Sequence, residues 1–104
     1  MNNIIMLNDL KLKTFTEQDC ADYCEINNIN LSDITELCLQ NNQLTDISGV
    51  KIFKNLKILF INENKLTDIS ALKYLINLKI LWLSNNKVTD ISVLKDLKYL
   101  QELY

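Results

Sequence analysis

The sequence predicts an α/β solenoid, a stack of short units each contributing one strand and one helical turn. Three observations carry this. Leu37, Leu59, Leu81 and Leu103 recur every 22 residues, and Leu39, Ile61 and Leu83 keep step with them. Asn42, Asn64 and Asn86 mark one fixed place in each unit. Within each unit apolar residues first alternate, as in a half-buried strand, and then recur every third residue, as in a tight helical turn.

The elements follow in chain order. Ile4 to Leu7 and Leu10 to Lys13 flank Asn8-Asp9, a pattern open to a small hairpin or to a loose arm. Thr16 followed by Glu17, Gln18 and Asp19 reads as a helix start, with Thr16 as N-cap and Phe15 placed to staple onto Cys20. A helix over about residues 17–27 would set Cys20, Tyr23 and Cys24 in one narrow apolar stripe, suited to closing the open end of a solenoid. One period before Leu37 and Leu39 stand Phe15 and Glu17 rather than two core leucines. Residues 1–30 are therefore assigned to an N-terminal cap, and 31–104 to three full repeats and one truncated one.

The segment from Leu56 to Leu66 shows the unit. Leu59 and Ile61 alternate with Phe60, giving a strand with one buried face. Asn64 follows at the turn, where an amide can both donate to and accept from free backbone groups. Thr67-Asp68-Ile69-Ser70 then leads into Leu72 and Leu75, and Asp68 or Ser70 can cap the turn that follows. Asp46, Asp68 and Asp90 form a column of carboxylates on separate turns, without the converging ligands of a calcium cage.

The pattern Leu-x-x-Leu-x-Leu-x-x-Asn-x-Leu, followed by Thr-Asp-Ile-Ser-x-Leu-Lys-x-Leu, resembles the leucine-rich repeat of the bacterial internalin-like class over Leu31 to Tyr104. The resemblance implies a leucine-rich-repeat solenoid: a short right-handed horseshoe with a parallel concave sheet, 3₁₀ or short helices on the convex side and a helical N-terminal cap. It also implies that the protein binds another protein on its concave face. Extracellular members carry signal peptides and wall anchors, which this sequence does not show, so their adhesion role is not carried over.

With Leu59 and Ile61 inward, Ile58, Phe60 and Asn62 must face the concave side. The same alternation selects Glu36, Cys38 and Gln40, then Ile80, Trp82 and Ser84, then Glu102 and Tyr104. Cys38, Phe60, Trp82 and Tyr104 make a central column, bordered by the Glu36, Ile58, Ile80, Glu102 column and by polar residues toward the turn. Aromatic anchors inside a polar surround are the usual anatomy of a protein interface. The last strand, ending at Tyr104, has no cap after it, and a second copy, giving a homodimer, or a partner could cover it by strand addition.

Composition narrows the classes. Every basic residue is a lysine, histidine is absent and the formal net charge is −2, which argues against a nucleic-acid partner. Lys51, Lys73 and Lys95, with Lys54 and Lys98, read as a solvated convex face balanced by the nearby Asp column. Cys20, Cys24 and Cys38 lack a zinc spacing and read as buried thiols in a reducing compartment. No cofactor motif stands out, and Gly49 is the only glycine, so no phosphate loop is available. With no base to activate a nucleophile the chain is read as non-enzymatic, and with no long apolar run as a cytoplasmic protein without a membrane span. The expected function is steric binding of a protein partner. The alternative is a phage or mobile-element inhibitor of a host enzyme or defence complex, such as an anti-CRISPR protein.

Overall fold

A computed structural model describes residues 3–104. Five strands, β1 (Ile4–Met6), β2 (Glu36–Cys38), β3 (Ile58–Phe60), β4 (Ile80–Trp82) and β5 (Glu102–Leu103), form one sheet in chain order. Every neighbouring pair is parallel, with Leu37, Leu59, Leu81 and Leu103 in register. Short 3₁₀ turns at Ser48–Ile52, Ser70–Tyr74 and Ser92–Asp96 return the chain to the next strand. Leu37, Leu39, Leu59, Ile61 and Leu81 are wholly buried between sheet and turns, as their alternation requires.

The Asn column joins one turn to the next. The Leu44 N–H donates to Asn64 Oδ1 at 3.0 Å, and Asn64 Nδ2 donates to the carbonyls of Leu39 and Ile61 at 3.0 and 3.1 Å. Asn86 repeats this with the Leu66 N–H and the Ile61 and Leu83 carbonyls, all at 2.9 Å. Just before each amide, Asn41, Glu63 and Asn85 take φ of 57°, 58° and 59°, the left-handed bend that turns the chain off the sheet. In the Thr-Asp-Ile-Ser segments it is the Asp that accepts: the N–H groups of Ser48, Ser70 and Ser92 donate to Asp46, Asp68 and Asp90 at 2.8, 2.8 and 2.9 Å. These bonds hold the Asp68 and Asp90 carboxyls below their ordinary range.

Helix α1 (Glu17–Ile26) begins at Thr16 with a full capping box. The Asp19 N–H donates to Thr16 Oγ1 at 3.2 Å, and the Thr16 N–H donates back to Asp19 Oδ2 at 2.9 Å. Cys20 and Cys24 are buried on its inner side and Tyr23 partly so.

Neither a hairpin nor an arm precedes this helix. Ile4–Met6 instead pairs parallel with β2, Ile5 opposite Leu37, and Ile5 is 1% exposed. The N–H groups of Leu10 and Leu12 donate to Asn42 Oδ1 at 2.9 and 3.0 Å, across a sequence offset of 32 and 30 residues. The first turn is thus a repeat enlarged to 32 residues by α1, with Ile5, Leu7, Leu12 and Phe15 in the places of Leu37, Leu39, Leu44 and Ile47. The Phe15 ring stacks on Phe53, centroids 6.4 Å apart.

Candidate functional site

The concave positions lie on β2 to β5 and the residues just after them. Phe60 and Trp82 are neighbours across β3 and β4, with ring centroids 4.6 Å apart and planes inclined at 49°. Trp82 and Tyr104 meet edge-on at 5.5 Å. Such tilted contacts leave ring faces open, and Trp82 and Tyr104 remain 40% and 61% exposed. Phe60, Ile58 and Ile80 are half-buried beside them.

Cys38 departs from this column. It is only 4% exposed, a short side chain in register between Met6 and Phe60, and its Sγ donates to Glu36 Oε2 at 3.7 Å. It therefore offers little surface, and Met6, 66% exposed, takes its place at that end of the column. Sequence reasoning missed Met6 because β1 was not recognised. The spacing of Ile5, Leu7, Leu12 and Phe15 is the signal that would have found it.

Toward the turn, Gln40 and Asn62 are half-buried and Ser84 exposed. Gln40 Oε1 and Asn62 Oδ1 are enclosed yet accept no hydrogen bond. At the other border Glu36 is half-buried and Glu102 exposed. Among the described residues neither forms an ion pair, the one pair there being Lys51 with Glu17 at 2.5 Å.

The thiols are held in their neutral form. All three cysteines are unpaired. Burial pushes the Cys20 thiol far up and the Cys24 thiol up, and burial with Glu36 close by lifts Cys38 to about 11. Neutral thiols are poor nucleophiles at physiological pH. Among the described residues no group of His, Cys, Asp or Glu could hold a metal, and no helix is long and apolar enough to cross a membrane.

The convex lysines Lys54, Lys73, Lys95 and Lys98 are exposed, and Lys95 is among the groups that lower the Asp90 carboxyl, as a solvated face balanced by the Asp column requires; Lys51 departs from that reading. Lys51, Lys54 and Lys73 gather round the exposed Tyr74 ring at 5.7, 5.7 and 5.2 Å, and Lys51 pairs with Glu17 of α1 rather than with the Asp column.

A family model for leucine-rich repeats, in two copies, matches residues 32–74. Among solved structures the chain is similar to internalin C2 of Listeria monocytogenes strain 4b F2365, with a TM-score of 0.68 and 32% identity over 70% of this chain. An internalin (inlF) of the same strain gives 0.54 and 31% over 71%. The chain is built of internalin-like leucine-rich repeats. It spans about a third of those internalins, 32% and 29% of their lengths. No curated protein matches its sequence.

As in leucine-rich-repeat proteins generally, the sheet and the turns bury separate sides of one interior, and that interior is uncovered beyond β5. Ile91 is 57% exposed where Ile47 and Ile69 are 2% exposed. A cleft of about 270 Å³ opens there between Leu83, Val88, Leu94 and Leu103.

Proposed function

We propose that this leucine-rich-repeat chain is a non-enzymatic protein-binding module whose partner docks on the concave face, with Phe60, Trp82 and Tyr104 as its anchors. Leucine-rich-repeat domains generally serve protein–protein interaction, which sets the class of activity. The choice of surface rests on one observation: three aromatic rings in contact on a sheet face with nothing packed over them. Parallel sheets are ordinarily covered on both sides, and exposed apolar surface of this extent is usual at interaction sites. The flanking Glu36, Gln40, Ile58, Asn62, Ile80, Ser84 and Glu102 complete the face, and Cys38 fills the place between Met6 and Phe60 with little surface of its own.

Cytoplasmic residence is part of the proposal, since three unpaired thiols suit a reducing compartment. The exposed interior beside β5 supports a subsidiary reading, a homodimer formed through that edge of the chain as given; a further repeat would cover the same surface. Strictly monomeric light scattering at micromolar concentration rules the homodimer out.

The main test compares immobilised wild-type protein with a Phe60→Ala, Trp82→Ala variant, bound proteins being identified by mass spectrometry. A partner retained by the wild type and lost by the variant, with circular dichroism and melting unchanged, is the expected result. Equal retention by both removes the concave face from consideration. A defence nuclease as the retained partner would make the module an inhibitor.

A further inference from the structure

The concave face differs in charge from the rest of the surface. Its concave-facing strand positions carry two carboxylates, Glu36 and Glu102, and no basic residue, in a chain with eleven lysines. Lys57 and Lys79 border it only at the strand bases, and Lys65 and Lys87 come after the asparagine turns. Other lysines are drawn to the opposite side, where Lys51, Lys54 and Lys73 surround Tyr74.

Its uncharged groups point the same way. Ring faces carry negative potential and attract ammonium or guanidinium groups, most strongly for Trp. The edge-on contact of Trp82 with Tyr104 leaves such faces open. Gln40 Oε1 and Asn62 Oδ1 are acceptors without donors, and an enclosed polar oxygen in that state gains from any N–H brought to it. Rings, carboxylates and spare acceptors are all complementary to one class of group, a cationic hydrogen-bond donor.

We infer that the face recognises a cationic protein segment, one that sets Lys or Arg side chains against Trp82 and Tyr104 and toward Glu36 and Glu102. The inference rests on the concave-face reading above and specifies its partner. Charge complementarity of this kind steers encounter and selects among partners, and it weakens with salt.

The test is a random-peptide display library panned on the folded protein, with titrations of enriched peptides followed by fluorescence of Trp82, the chain's one tryptophan. Enriched peptides should be rich in Lys and Arg, and Trp82→Ala, scored by a labelled peptide, should weaken them about tenfold. Glu36→Gln with Glu102→Gln should lower both the affinity and its salt dependence. Enrichment of neutral or acidic peptides that still require Trp82 overturns the cationic inference and keeps the concave face. A dimer broken by Trp82→Ala overturns it in favour of a second copy. No enrichment, or binding indifferent to Phe60→Ala and Trp82→Ala, overturns both readings.

Discussion

Gly49 packs directly beneath Thr16, so close that a Cβ at Gly49 would overlap the Thr16 carbonyl oxygen and Cys20 Sγ. The Gly49 N–H donates to the Phe15 carbonyl at 2.8 Å, locking the start of α1 onto the first 3₁₀ turn. In the later repeats Ala71 and Val93 hold this place, because there another 3₁₀ turn, and not α1, lies against it. The only glycine of the chain is thus explained by packing.

Gly49→Ala should therefore destabilise the fold by about 1–3 kcal/mol, the usual cost of forcing a group into a filled space. Urea denaturation measures it. A variant as stable as the wild type would show that α1 does not sit on this turn.

The Asn column should be graded in its effects. Asn64 is nearly enclosed, and removing its amide leaves the Leu44 N–H without a partner and takes one of two amide donors from each of the Leu39 and Ile61 carbonyls, which keep Asn42 and Asn86. Asn64→Ala should cost about 1–3 kcal/mol, the usual cost of one enclosed group left unpaired. Asn86 makes the same set of bonds in a more open position, where water replaces them, so Asn86→Ala should cost less. Equal losses in thermal denaturation would contradict this ordering.

These two positions show why the repeats were legible and the first turn was not. From Leu37 onward, strand alternation, turn amide and 3₁₀ spacing lie within one period, so local chemistry suffices. Ile5, Leu7, Leu12 and Phe15 follow the same spacing, but α1 lengthens their turn to 32 residues and Leu10 stands where Asn42 stands in the next. The concave column was legible for Phe60, Trp82 and Tyr104 because side-chain direction follows from alternation. The burial of Cys38 was not, because it depends on Met6 from that unrecognised strand. The gathering of Lys51, Lys54 and Lys73 on Tyr74 joins two neighbouring turns, and no single repeat reveals it.

Alkaline pH should weaken the fold through its thiols. Burial, with Glu36 close by, raises Cys38 from 9.0 to about 11, so the unfolded chain loses this proton first. The contribution is complete below pH 9.0 and is lost as pH rises toward about 11. A loss of about 1–2 kcal/mol over that range is expected, reduced in Cys38→Ala. Denaturation midpoints at stepped pH measure it, and a Cys38→Ala profile parallel to the wild type would assign the loss elsewhere.

The first turn gives the sharpest contrast between neighbouring side chains. Ile5 faces the interior at 1% exposure, and Met6, the next residue, faces the concave side at 66%. If β1 closes the sheet against β2, Ile5→Ala opens a cavity over Leu37 and costs about 2–5 kcal/mol, whereas Met6→Ala stays within about 0.5 kcal/mol. A loose arm would make both substitutions silent, and a hairpin outside the sheet would not tie Ile5 to Leu37. Two denaturation curves separate these cases. A silent Ile5→Ala would return residues 4–7 to the status of an appendage and leave β2 as the true edge of the sheet.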